Sequence, residues 1–250
     1  MYKKIFLIAL LLAVASAAFS QTPAAQMPTA SELLRRVDNN EIYNTIEYEG
    51  DIIINHQGRR FVKTFKAWGR GNTHSFIEFT NPEDRGTKYL RRDGRLFVYS
   101  PDAEEVVPIS GHMLKESMMG SDMSYEDTIN NETLSSRYDP VLAGSEIYNG
   151  RDTWVLELTA RRTESYHTRK LWIDRETGDL LHYELFALSG VKLKEYTLLR
   201  TETIGGRRFP VEGEMRDLMR RDSRTTFVMR NVVLDRPIAD SVFSQRNLTR

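Results

Sequence analysis

The sequence predicts a mainly β, α+β protein: a curved antiparallel sheet forming an incomplete β-barrel, with an N-terminal helix and a helical lid insertion. Three observations predict it. Apolar and polar residues alternate over most of the chain from Thr45 onward, the period of half-buried strands. Asp93-Gly94 and Asn149-Gly150 stand between strand-like runs, and such dipeptides favour two-residue hairpin turns. About thirty residues after Pro108 lack this alternation and divide the strands into two groups. A closed barrel is the near alternative.

Met1 to Ser20 reads as a cleavable secretory signal, because Lys3 and Lys4 precede an apolar run from Ile5 to Ala15 and small residues follow. That run is shorter than the roughly 20 residues needed to span a bilayer. Cleavage fits after Ala17 or after Ser20. The expected location is therefore the periplasm. Residues 21–28 are rich in Ala, Pro and Gln and read as a flexible mature N-terminus, followed by one domain over 29–250. Thr29 stands three residues before Glu32, a capping-box spacing, and Leu33, Leu34 and Val37 place an apolar stripe on a helix ending near Asn39 and Asn40.

The strands follow in order. Ile46, Tyr48, Ile52 and Ile54 alternate with acids, with Gly50 interrupting the stripe. Runs over 61–68 and 73–79 continue a meander across glycine-rich breaks, and 89–91 and 96–99 flank the Asp93-Gly94 hairpin. The second group comprises 141–148, 153–159, 168–173, 180–188, 192–203, 209–217 and 223–233. Roughly ten strands with short turns suit an open, strongly curved sheet.

The chain has no cysteine, which removes disulfides, thiolate catalysis, cysteine metal sites and lipidation on an N-terminal cysteine. Loss of Lys3 and Lys4 with the leader leaves 33 basic against 35 acidic residues, a formal charge of −2. That balance gives no electrostatic case for nucleic acid. Five scattered histidines show no metal-ligand spacing, so no metal, cofactor or catalytic residue is nominated. The basic pairs, such as Arg59-Arg60, Arg91-Arg92 and Arg220-Arg221, read first as a solvated rim and second as partners for anionic head groups or an acidic protein.

The most distinctive stretch runs from Lys115 to Asp127 and contains Gly120-Ser121-Asp122-Met123-Ser124-Tyr125-Glu126-Asp127. With the Arg85–Leu90 segment, Tyr99-Ser100-Pro101 and the Phe243–Leu248 segment, it resembles the LolA-like family of outer-membrane lipoprotein-sorting proteins over most of the mature chain. The resemblance implies an incomplete β-barrel with helices over its mouth. It further implies a non-enzymatic, monomeric periplasmic carrier of lipoprotein acyl chains, in transient contact with membranes or membrane proteins. Phospholipid or glycolipid cargo, and a non-enzymatic envelope interaction module, are the alternatives.

Met113, Met118, Met119 and Met123 fall within eleven residues. Unbranched, polarizable side chains suit irregular apolar shapes such as acyl chains, although methionines also fill ordinary cores. Gly120 breaks the helix here, and Ser124, with Glu126 and Asp127 behind it, reads as an N-cap. Capping explains Ser121 and Ser124 better than nucleophilic catalysis, since no Gly-x-Ser-x-Gly elbow surrounds them. Tyr125 joins the methionines as a lid candidate. On the strands, Trp68, Phe76, Tyr89, Phe97, Trp154, Trp172 and Phe227, with Leu156 and Leu185, are the apolar candidates for the concave face.

Overall fold

A computed structural model of the protein describes residues 27–40, 42–129 and 132–250. The residues read as a secretory signal, and most of those read as a flexible N-terminus, lie outside the described residues. Helix α1 (Ala30–Asn40) begins as its capping box requires: the Glu32 backbone N–H donates to Thr29 Oγ1, and the Thr29 N–H donates to Glu32 Oε2 at 2.8 Å. Leu33, Leu34 and Val37 form its buried stripe.

Thirteen strands make one antiparallel sheet. They are β1 (Thr45–His56), β2 (Arg59–Arg70), β3 (His74–Phe79), β4 (Lys88–Arg92), β5 (Arg95–Ser100), β6 (Glu105–Ile109), β7 (Tyr138–Tyr148), β8 (Arg151–Ala160), β9 (Thr168–Asp174), β10 (Leu180–Phe186), β11 (Lys192–Ile204), β12 (Arg207–Asp217) and β13 (Ser223–Leu234). Their order is β6-β5-β4-β3-β2-β1-β13-β12-β11-β10-β9-β8-β7. The chain starts in the middle, winds outward to β6, crosses to β7 through the insertion, and returns to pair β13 with β1. The edges β6 and β7 do not pair, so the curved sheet is not closed into a barrel. Strand β6 lay outside the sequence expectation. It is short and carries Pro108, while Pro140 stands in the other edge strand; proline lacks a ladder N–H and is tolerated at an edge.

The sheet's inner face carries α1 and the insertion. The insertion contains short 3₁₀ turns at Gly111–Lys115 and Met118–Gly120, then helices α2 (Tyr125–Ile129) and α3 (Leu134–Arg137). Beneath it lie Ile52, Ile54, Phe65, Phe79, Tyr89 and Leu96. Under α1, the inner face is filled by Leu156, Leu158, Leu171, Ile173 and Tyr138. The C-terminal segment instead covers the outer face, where Phe243 and Leu248 close over Phe76 and Leu90.

Gly50 interrupts the apolar stripe for a steric reason. It faces Phe65 across the β1–β2 ladder, and a Cβ there would stand 2.2 Å from the Phe65 ring. A ring lying over a strand glycine lets the inner face bend closely around the space beneath the insertion.

Candidate functional site

Two adjoining cavities occupy the inner face. The first, about 240 Å³, is bounded by Ile52, Phe65, Ala67, Phe79 and Phe227 on the sheet and by Met118 and Met123 of the insertion. The second, about 710 Å³, is more polar and extends toward Arg137, Tyr166, Arg169, Leu185 and Met215. Tyr43, Arg91, Met123 and Thr128 belong to both walls, so the two spaces meet beneath the insertion. Small-molecule pockets commonly span about 300–1,000 Å³, and the larger space alone falls in that range.

The insertion is shaped by its own sequence. Ser117 and Ser124 form an antiparallel bridge, and the Met118 N–H donates to the Met123 carbonyl at 2.8 Å. This closes a small loop. Met119 and Gly120 both have positive φ (54° and 76°), which prevents a continuous helix and turns Met118 and Met123 toward the cavity. Ser124 then caps α2: its N–H and hydroxyl donate to Asp127 Oδ2, both at 2.8 Å, and the Asp127 N–H donates back to Ser124 Oγ. Tyr125 sets its ring 6.0 Å from that of Tyr89, and Glu126 accepts from the Ser165 hydroxyl at 2.6 Å.

Three polar ties fasten the loop to the sheet. At the first, buried Asp122 accepts from the Thr225 hydroxyl at 2.6 Å and from the Asp217 N–H at 3.1 Å. At the second, Arg220 donates to the carbonyls of Gly120 and Ser121. At the third, Lys194 of β11 donates to Asp127 Oδ2 at 2.8 Å, with the two side chains only 8% and 11% exposed, while the Tyr166 hydroxyl donates to Asp127 Oδ1. Burial pushes the Asp127 carboxyl up, but Lys194 and the hydrogen bonds from Ser124 and Tyr166 outweigh it and hold the group below the usual carboxylate range. Burial, reinforced by Asp127, raises the Tyr166 hydroxyl and keeps it a neutral donor.

The sequence-derived candidates separate into three groups. Met118, Met123 and Phe227 line the first cavity. Met113, Met119, Tyr89 and Tyr125 pack beside it in the same cluster. Trp68, Phe76 and Phe97 lie on the outer face under the C-terminal segment, with the Trp68 ring against Phe76, and Trp154 packs in the α1 cluster. Trp172 is also on the outer face, donating its indole N–H to Glu146. The concave placement expected of Trp68, Phe76, Phe97 and Trp172 is therefore corrected. Their faces were misassigned because the outer surface has apolar cover of its own.

Two further expectations change. Arg91 is not a rim residue but is buried in the cavity wall, where burial lowers its pKa. His182 is buried on the outer face, its ring stacked 4.9 Å from Tyr148. Its ring nitrogen and the carboxylates of Glu184 and Glu195 lie within 4.8 Å of one another, a spacing that suits a metal ion. Lys192 donates to both carboxylates at 2.8 and 2.9 Å, and Arg216 to Glu195 at 2.7 Å, so their charge is already balanced by cations of the chain.

A family model described as an uncharacterised protein matches residues 71–250, which include the insertion and its three ties. The chain belongs to this family. No curated protein matches it. Among solved structures, a DUF1329 family protein from Desulfovibrio piger is 26% identical with a TM-score of 0.80, covering 88% of this chain and 97% of that one. A putative outer membrane lipoprotein-sorting protein domain from Vibrio parahaemolyticus is 18% identical with a TM-score of 0.78, covering 88% and 98%. A LolA superfamily protein from Nitrosomonas europaea is 20% identical with a TM-score of 0.72, covering 88% and 99%. The family member described here thus has the fold of the LolA superfamily, as its resemblance in sequence implies.

Proposed function

We propose that the protein is a periplasmic lipid carrier: the hollow inner face takes up acyl chains of lipoproteins or of other lipids bound for the outer membrane, and the insertion is its lid. The observation that carries this reading is the apolar cavity roofed by Met118 and Met123 and adjoining a wider, more polar one. Acyl chains need water-free walls that adapt along their length, and methionine and aromatic side chains supply them. The polar space would receive the end of the cargo that stays hydrated.

The energetics favour long chains. Each buried methylene contributes about 0.8 kcal/mol, so eight give about 6 kcal/mol, near the low end of the estimated cost of association. Short chains would bind poorly. The lid combines the apolar packing of Met118 and its neighbours with hydrogen bonds and an ion pair to the sheet, polar ties that water can take over when the lid moves. No covalent step is required, and Ser121 and Ser124 already serve the loop and the α2 cap.

A hollow interior supports carriage over the alternative of a platform for envelope proteins, which needs a filled interior and an external apolar patch. The test is extraction of protein purified from its native envelope, followed by mass spectrometry. Stoichiometric acyl lipid is expected, and protein that is consistently empty would overturn the proposal. Recovery of phospholipid alone would remove the lipoprotein assignment while keeping carriage.

A further inference from the structure

One end of the sheet combines exposed apolar tips with unpaired arginines. Three connections lie side by side there: the β1–β2, β12–β13 and β10–β11 turns. The Gln57 N–H donates to the Asp222 carbonyl and the Leu218 N–H to the Leu193 carbonyl, which fixes the three as neighbours. Leu188 and Met219 project from two of them, 79% and 62% exposed, and Phe61 stands exposed beside the third. Arg59, Arg60, Arg221 and Arg224 are exposed among these tips. Among the described residues none of these four arginines has a carboxylate partner, although most other arginines of the sheet do. Asp222 is the one acid within the β1–β2 and β12–β13 turns, at 57–58 and 218–222.

We infer that this edge docks on the surface of an anionic bilayer, with Leu188, Met219 and Phe61 entering the interface and Arg59, Arg60, Arg221 and Arg224 meeting lipid phosphates. The pattern fits a membrane better than an acidic protein. Leu188 and Met219 stand on separate turns and Phe61 near the start of β2, positions from which each can insert among head groups. Unpaired guanidinium groups beside them match phosphate geometry. The position also fits: the β12–β13 turn that presents Met219 and Arg221 carries Arg220, which binds the Gly120 and Ser121 carbonyls of the insertion. A bilayer at this edge would lie beside the point where the insertion is held. The inference does not require that the cavity binds lipid.

The test is cosedimentation of the mature protein with vesicles of phosphatidylcholine, with and without phosphatidylglycerol, at low and high salt. Binding only to the anionic vesicles, weakened by salt, is expected. Each arginine near such a surface is worth about fivefold in binding, so the triple variant Arg59→Ser, Arg60→Ser, Arg221→Ser should lose about a hundredfold. Leu188→Ser with Met219→Ser should weaken binding at both salt concentrations. Each variant should keep the thermal midpoint of the parent, since all five residues are exposed. Parent protein that ignores both kinds of vesicle, or variants that bind as well as the parent, would overturn the inference. In that case an acidic protein becomes the candidate for this edge. Loss of vesicle binding with bound cargo unchanged would separate this surface from the carrier function.

Discussion

The two covered regions of the inner face use one sheet in opposite ways. Under α1, branched aliphatic residues such as Leu156, Leu158, Leu171 and Ile173 are almost wholly buried and interlock with Leu33 and Leu34. Under the insertion, methionines and aromatic rings surround open space. The difference lies in side-chain shape and in how each cover is held. Leucine and isoleucine have few rotamers and pack densely, while methionine accepts many shapes at little cost. Helix α1 is held chiefly by apolar burial, whereas the insertion adds polar ties at Gly120, Ser121, Asp122 and Asp127 to the packing of Met118 and Tyr125. The first region therefore supplies stability, and on the proposed function the second is the part that opens.

The largest effect is expected from Leu158→Ala, which deletes a fully buried side chain on the packed side. It should lower unfolding free energy by about 3–5 kcal/mol in urea titration, and a small loss would mean that this side is loosely packed. Next comes Lys194→Met, which strands the Asp127 carboxylate near the cavity. Breaking a fully buried pair costs about 3–5 kcal/mol, and the tenth of exposure left here should reduce that to about 2–3 kcal/mol. Hydrogen exchange should speed up in residues 117–129 more than under α1. Uniform acceleration would show that the insertion does not open separately.

Acid should act selectively on the same tie. Because the Asp127 carboxyl is held below its ordinary value of 3.8, its contribution is complete above about pH 4 and disappears as pH falls through the lower folded value. Glu164 shifts in the same direction, through hydrogen bonding to Arg137 first. Stability followed by tryptophan fluorescence should decline slightly below about pH 6.5, where burial keeps His182 neutral while the unfolded imidazole takes up a proton, and fall further below about 4. The smallest effect is expected from Met118→Leu, less than about 1.5 kcal/mol, as for other near-isosteric swaps.

Local chemistry made much of this legible in the sequence. The Thr29–Glu32 box, the Asp93-Gly94 and Asn149-Gly150 turns, and the Ser124 cap each involve residues within four positions of one another, and each appears as expected. Strand sidedness in β3–β5 was not legible, because Phe243 and Leu248 give the outer face its own apolar layer and erase the alternation. Asp122 meets Thr225 across 103 residues, and Asp127 meets Lys194 across 67. No local pattern pairs such residues. The nearest signal is the cluster of acids at 122–127, whose local reading is capping and turn formation.

The most direct test uses a palmitoyl lipid carrying a diazirine midway along its acyl chain, photolysed with the intact protein and mapped by peptide sequencing. Adducts concentrated on Met118, Met123, Phe65 and Phe227 are expected, and they should diminish when unlabelled lipid competes. Adducts scattered over the outer face, or an absence of competable adducts, would contradict carriage in the cavity beneath the insertion.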